Sequence, residues 1–367
     1  MKSSKRLDFQ VFSELLQLEN IDDASLADIA QLFRSEISGP GQLPEKYYHA
    51  DPRTGELIVY HVARSKRIHD NVPDAEQAMP DAPCVVCEGR TTGAVDVVQL
   101  SQGFSFINKN LFPVLYPFED NESMSGTRDE SVKGLHFLQW TSSYHDLDWR
   151  SIPKDDAIKV MGRLAALEKK LLDESMDGQG GDERYVLIFK NYGYLVGGSL
   201  AHGHQQIALS SIMPQRFRND ERFQERMGKR FSEYMLEKSP RELVVRDYGA
   251  ATLVVPFFMR RPYDMMLLLK DSAKRYLHEL SGKELAAVAE AWQDGTRAIH
   301  AVMPQIGREV AYNVVTHNGP GAGLYFEFLP YTQEIGGFEH LGLIVCQESP
   351  ERAAAHLSET LDITTGV

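Results

Sequence analysis

Cysteine is scarce in this chain: there are three in 367 residues, an odd number, which excludes the disulfide framework of a small secreted domain. Long apolar runs are also missing. The longest, residues 252–259 and 265–269, fall far short of the ~20 residues that cross a bilayer as a helix, so no membrane partner is expected. Positive charge is in deficit, with 39 Lys and Arg against 52 Asp and Glu and a formal charge of −13; such a surface repels a polyanion, and non-specific nucleic-acid binding is not expected. There is no GxxxxGK[ST] phosphate loop, and no dinucleotide fingerprint with the right spacing inside a βαβ unit. No apolar stretch follows the basic start MKSSKRLDFQ, because Asp8, Gln10, Ser13 and Glu14 interrupt it; the expectation is a cytoplasmic protein. What is present is an ordinary globular composition, 43% hydrophobic and 25% charged, in a chain long enough for about two domains.

Residues 1–44 read as a helical extension, with short amphipathic helices at 9–18 and 25–33 before the breaker run Ser38-Gly39-Pro40-Gly41. Strands are expected at 57–62, 104–107, 112–115 and 136–140. A helix is expected over 154–172, where Ile158, Met161, Leu164, Leu167 and Leu171 recur at helical spacing, followed by strands at 185–189 and 204–209. The second half repeats that order: strands at 243–245, 252–255 and 265–269, a helix from the capping box Ser281–Glu284, then strands at 310–315 and 324–329. A polar helical run over 216–238 connects the halves. The repetition predicts an α+β fold duplicated from one unit, divided at 45–220 and 221–367.

The densest chemistry lies in residues 191–206, NYGYLVGGSLAHGHQQ. Three glycines after a strand let main-chain amides approach an anion, with Asn191 and Ser199 as further donors. His202, His204 and Gln206 then alternate, so that on an extended segment they share one face. A neutral imidazole whose other ring nitrogen donates to a carbonyl is a competent nucleophile toward phosphorus. Taken singly, a histidine on a strand is more often a satisfied core or surface residue. Cys84 and Cys87 have the short spacing that tetrahedral zinc favours, and His145 and His202 would complete the set; redox chemistry is the alternative for the cysteine pair, less suited to the loop that Pro83 and Glu88-Gly89 imply. Cys346 reads as a core residue in an apolar strand at 343–346. Arg64-Ser65-Lys66-Arg67 is a compact basic cluster suited to phosphate oxygens or, more plainly, a solvated loop. Asn110 reads as a ribose or base contact or as a turn residue.

Asn191-x-Gly193-x-x-x-Gly197-Gly198-Ser199-x-x-His202-x-His204-x-Gln206 resembles the active-site segment of the galactose-1-phosphate uridylyltransferase family, the transferase branch of the histidine-triad superfamily. The segment 51–56 leading to Arg64 and Arg67 is similar to that family's N-terminal signature, and Cys84-x-x-Cys87 to its zinc pair. The resemblance spans about 45–350. It implies two tandem histidine-triad-like α+β domains, each an antiparallel sheet with a packed helix, in a homodimeric enzyme. His204 would be the nucleophile toward the α-phosphorus of a nucleotide sugar, Gln206 would hold the transferred phosphoryl oxygens, and Cys84, Cys87, His145 and His202 would bind one Zn²⁺ per chain. Asn110, Asn191, Gly197, Gly198 and Ser199 match nucleotide-contacting positions, and Arg64 and Arg67 match arginines supplied by the neighbouring subunit. The implied reaction is ping-pong transfer of UMP from UDP-glucose to a hexose 1-phosphate. The chain departs from the pattern at Gly203 and Gln205, whose side-chain positions face away, at Leu111, where the family has a carboxylate, and at 336–340, which lacks the expected Lys and Tyr/Glu contacts. Positions matching a second metal site, Asp220, His317, Tyr325 and Glu327, have lost two histidines, so a second metal is not expected. Two other readings are kept: a phosphorylase acting on ADP-glucose or a dinucleoside polyphosphate, and a non-catalytic zinc-stabilised binding module.

Overall fold

The structure is a computed structural model and describes residues 5–37, 47–60, 84–117, 133–174 and 184–365. In chain order the elements are α1 (Phe9–Leu15), α2 (Leu26–Ile37), β1 (Tyr47–Ala50), β2 (Leu57–Tyr60), β3 (Ala94–Gln99), β4 (Phe104–Lys109), β5 (Gly134–Trp140), α3 (Lys154–Asp173), β6 (Tyr185–Tyr192), β7 (His204–Ser210), α4 (Gln215–Met227), α5 (Phe231–Lys238), β8 (Val244–Asp247), β9 (Ala251–Val254), β10 (Met265–Leu269), α6 (Gly282–Gln305), β11 (Tyr312–His317), β12 (Tyr325–Pro330), α7 (Gly337–His340) and α8 (Pro350–Thr365), with short 3₁₀ turns between some of them. Arg64 and Arg67 lie outside the described residues.

β1 and β2 form a separate hairpin. The other ten strands make one antiparallel sheet in the order β3-β4-β5-β7-β6-β11-β12-β10-β9-β8. Each half uses its five strands in the same spatial order, first-second-third-fifth-fourth, with a long helix between the third and fourth. The fourth strands, β6 and β11, join the halves edge to edge, Tyr192 opposite Tyr312. Mixed helix and antiparallel sheet is therefore as expected, in a single continuous sheet; position 220 lies within α4.

One face of this sheet carries the main core. Ile107, Leu135, Phe137, Ile188, Ile207 and Leu209 of the first half, with Leu253, Leu267, Val314, Phe326 and Phe328 of the second, meet the apolar stripes of α3 (Val160, Leu164, Leu167, Leu171) and α6 (Val288, Trp292, Ile299, Val302). α6 opens with the reciprocal capping box foreseen at Ser281 and Glu284. Trp149 and Trp292 pack at 5.1 Å between ring centroids, and each is fully buried. Gly295 is required there, since a Cβ on it would sit 2.8 Å from the Phe328 ring. The first helices are built into this body: Ile29 and Phe33 of α2 are fully buried in the main core, and Leu7 and Phe12 join a second cluster with Cys84, Val86, Phe106 and Trp140 on the opposite face of the sheet.

Two expected strands are absent, for a shared reason. At 112–115 the backbone is held by side chains instead of a ladder: Phe112 N–H donates to Asn110 Oδ1 (2.9 Å) and Val114 N–H to His136 Nδ1 (3.1 Å). At 343–346 Glu339 accepts from Val345 N–H (3.2 Å) and Gln333 donates to the Val345 carbonyl (2.8 Å), so half-buried Cys346 sits in a loop packed against the core. Two strands, β1 and β3, and two helices, α7 and α8, are additional to the expectation.

Candidate active site and metal centre

β7 is the axis of the site. Alternation places His204, Gln206 and Ala208 on the face away from the main core, while Gln205, Ile207 and Leu209 point into it. Gln205 accordingly faces away from the site, accepting from Trp149 Nε1–H (3.0 Å) and donating to Gln139 Oε1 (2.6 Å), which satisfies a buried amide in the core.

His204 is 5% exposed and lies under the Trp140 ring, centroids 4.9 Å apart. Its Nδ1 is 2.9 Å from the His202 carbonyl. A carbonyl only accepts, so Nδ1 carries the ring proton and Nε2 keeps its lone pair. Burial, assisted by the nearby Lys190 charge, pushes the imidazole down to about 4, so it is neutral at physiological pH. Behind the site, fully buried Lys190 donates to the His204 carbonyl (2.9 Å) and pairs with Asp148 (2.7 Å). Asp148 is held below the usual carboxylate range despite its burial, by Lys190 together with the Trp149 amide and the Thr141 hydroxyl.

A cavity of about 90 Å³ opens in front of His204, lined by Asn110, Leu111, Leu138, Trp140, Ser199, Gln206 and Arg90 among others. Three expected residues thus share it with the histidine: Gln206, Asn110 and Ser199. Gly197 and Gly198 do not line it. Their amides close the turn, donating to the Tyr194 and Gly193 carbonyls (3.1 and 2.9 Å), and Gly197 takes a φ of 86° that favours glycine. Asn191 accepts from Asn313 across the β6–β11 seam (2.8 Å). These three shape the loop that carries Ser199.

Two residues of the site went unseen in the sequence. His136 on β5 lies 2.9 Å from Gln206 Oε1 and 3.3 Å from Asn110 Nδ2. Because Val114 N–H donates to its Nδ1, a neutral His136 is protonated at Nε2 and donates to Gln206 Oε1, leaving the Gln206 NH₂ as donor to the cavity. Arg90, bonded to Glu88 (2.7 Å), brings a cation to the wall. Arg90 follows Cys87 by three residues, the only local signal for it; His136 carries none.

Next to this cavity Cys84, Cys87, His145 and His202 converge, one ligand atom from each lying within 4.8 Å of every other. The Sγ–Nδ1 separations are 3.8 Å (Cys84–His202), 3.8 Å (Cys87–His145) and 3.6 Å (Cys87–His202). Tetrahedral bonds of about 2.0–2.3 Å give ligand–ligand edges of roughly 3.3–3.8 Å, which these three separations match. His202 Nε2–H donates to the Ser142 carbonyl (2.8 Å), which turns Nδ1 to the sulfurs. The Cys84 thiol is pushed well down by hydrogen bonds from Cys87, His145 and His202. The group could hold a metal ion, and it brings the 84–90 turn to the segments that follow β5 and precede β7.

On the second half of the sheet Asp220, His317, Tyr325 and Glu327 also meet. His317 lies 2.7 Å from Glu327 and 3.5 Å from Asp220, and stacks on Tyr325 at 4.3 Å. The imidazole is shared between two carboxylates, which favour its charged form against the cost of its burial.

No family model matches the chain. It is 22% identical over 315 residues to ADP-glucose phosphorylase of Arabidopsis thaliana, covering 79% of this chain and 85% of that protein. It is 25% identical over 319 residues to galactose-1-phosphate uridylyltransferase of Cryptococcus neoformans, covering 77% and 80%. A solved uridylyltransferase superposes with a TM-score of 0.68 at 22% identity over 87% of this chain and 99% of that one. ADP-glucose phosphorylase from Arabidopsis thaliana with bound ADP-glucose superposes at 0.60 and 18% identity over 86% and 99%. The resemblance read in residues 191–206 is thereby borne out in its relatives, and the fold is theirs. Among the described residues no helix is long and apolar enough to cross a membrane.

Proposed function

We propose, from this chain's kinship with galactose-1-phosphate uridylyltransferases and ADP-glucose phosphorylases, that it is a nucleotidyltransferase working through a covalent nucleotidyl-His204. The observation that carries the reading is the fixed proton on His204 Nδ1, which leaves Nε2 as a lone pair in a buried site. Nε2 attacks the α-phosphorus of UDP-glucose, the bond from that phosphorus to the bridging oxygen breaks, and glucose 1-phosphate leaves with the electron pair. A phosphate oxygen of the second hexose 1-phosphate then attacks the same phosphorus, and His204 departs neutral. The Gln206 NH₂ and Arg90 donate to the non-bridging oxygens during both steps. Trp140 and Leu138 exclude water beside the nucleophile.

Cys84, Cys87, His145 and His202 would hold a zinc ion, which would supply cross-linking and fixed charge. We read the chain as two histidine-triad-like units, 45–220 and 221–367, after the helical 1–44, acting as a homodimer in which Arg64 and Arg67 serve the neighbouring site. A second reading is favoured by Leu111, half exposed at the cavity where the family resemblance implies a carboxylate: inorganic phosphate accepts the nucleotidyl group of ADP-glucose. Incubation with UDP-glucose or ADP-glucose, each with galactose 1-phosphate or inorganic phosphate, followed by nucleotide chromatography, separates the two. UDP-galactose marks the transferase, and free ADP formed only with phosphate marks the phosphorylase. Formation of neither removes both readings.

A further inference from the structure

The two halves of the sheet correspond residue by residue, and the correspondence leads to a second cavity. In the first half Leu138 of β5 pairs with Gln206 of β7, and Trp140 pairs with Phe106 of β4. In the second half Met266 of β10 pairs with Glu327 of β12, and Leu268 pairs with Thr252 of β9. Matching these pairs places Tyr325 where His204 stands, Asp264 where His136 stands, and Pro256 and Phe258 where Asn110 and Phe112 stand. Pro256, Phe258, Asp264, Met266 and Glu327 all line one cavity of about 280 Å³. It is the counterpart of the His204 cavity on the same face of the sheet.

Its chemistry is different. Arg216, at the start of α4, and Arg260 and Arg261, on the loop before β10, bring three guanidinium groups to the wall. The acids that share it are largely spoken for: Glu327 is bonded to His317, Glu334 to Arg308, and Glu339 accepts from the amides of Gly336 and Val345. Among the described residues the Arg216 and Arg260 guanidinium groups have no hydrogen-bond or ion-pair partner, the Arg260 amide serving Asp264, and their charges act on Glu327. Asp264 is 4% exposed, its Oδ1 has no hydrogen-bond partner among the described residues, and the Arg261 Nε stands 3.7 Å away. Guanidinium forks recognise phosphate, and a buried carboxyl oxygen lacking a donor recognises a hydroxyl. Tyr325, stacked on His317, offers no nucleophile in the place of His204.

We propose that this cavity is a second, non-catalytic binding site for a sugar phosphate, its phosphate held by Arg216, Arg260 and Arg261 and a sugar hydroxyl by Asp264. The site is independent of the nucleotidyl-transfer reading and stands whether or not His204 is a nucleophile. Calorimetric titration of the full chain with glucose 1-phosphate, with inorganic phosphate and glucose as separate probes, tests it. The expected result is two binding sites in the wild type. One is lost, or weakened by about tenfold or more, in Arg216→Ala/Arg260→Ala, and the other in Gln206→Ala. The arginine variant, altered at exposed positions, is expected to keep its unliganded melting temperature and its turnover. Asp264→Asn is expected to weaken glucose 1-phosphate while leaving inorganic phosphate unchanged. No binding that the arginine variant weakens, or glucose 1-phosphate binding at that site no tighter than inorganic phosphate, overturns the proposal; a single wild-type site lost in the arginine variant supports it and removes only the His204 site.

Discussion

Lys190→Met removes one charge from beneath the nucleophile and should unfold the protein more readily than almost any surface change. The lysine side chain is fully buried and its partner Asp148 nearly so, with 2.7 Å between them. Methionine keeps the apolar stem, so packing changes little while the carboxylate loses its ion-pair partner; the Trp149 amide (2.8 Å) and the Thr141 hydroxyl (3.0 Å) remain as donors. Removing one partner of a buried pair costs about 3–5 kcal/mol. For a chain of this size that is a fall of roughly 4–7 °C in melting temperature. The sign with pH follows from the carboxyl. In the wild type it is held below its unfolded value, so its contribution is present at neutral pH and is lost on acidification through the folded pKa. In Lys190→Met burial is opposed only by the Trp149 and Thr141 donors, the folded pKa rises, and the penalty is largest at pH 8 and relieved toward pH 5. Asp148→Asn in the same background should restore about half of the loss or more. Urea unfolding of the two single variants and the double variant at pH 5 and 8 is the assay. A single-variant loss below about 1 kcal/mol, or a double variant whose loss is the sum of the singles, refutes the reasoning.

Cys84→Ser should lower metal content from one ion per chain toward zero and lower the melting temperature, as measured by plasma emission and calorimetry; unchanged values would remove the ligand assignment. His136→Phe should leave the fold intact and cut nucleotidyl transfer by about 10–100-fold, because the Gln206 amide loses the donor that orients it; equal turnover would show the contact to be idle. Asp264, pushed up to about 7 by burial against 3.8 unfolded, subtracts stability as pH rises from about 4 to 7; Asp264→Asn should therefore be more stable than wild type at pH 8, by on the order of 3–4 kcal/mol at most, and equal near pH 4. A pH-independent difference between the two proteins would contradict that assignment.

The helices and most strands were legible because their signals are local. Residues 154–172 and the capping box at Ser281 announce α3 and α6 in any context. β3 was hidden by Asp96, a buried charge in mid-strand made tolerable by its bonds to Arg163 (2.6 Å), 67 residues away, and to the Ile21 amide (2.9 Å). The false strands at 112–115 and 343–346 are apolar enough to pair, and are denied a ladder by the side chains of Asn110, His136, Gln333 and Glu339. In the site, the alternation of His202, His204 and Gln206 is written into five consecutive residues of strand and its approach. His136 is not, since its role comes from the β5–β7 register that sets Leu138 opposite Gln206 and so brings His136 alongside. The glycines of the motif were read as anion donors; Gly197 and Gly198 spend their amides on the turn itself.

The central claim is that His204 carries the nucleotidyl group. Intact-protein mass spectrometry after incubation without acceptor, with UDP-glucose, UDP-galactose, ADP-glucose and diadenosine tetraphosphate in parallel, tests it directly. The account predicts an adduct of one nucleoside monophosphate with at least one donor, absent in His204→Ala, with the same metal content in both proteins. An adduct that persists in His204→Ala, or turnover by that variant, would contradict it.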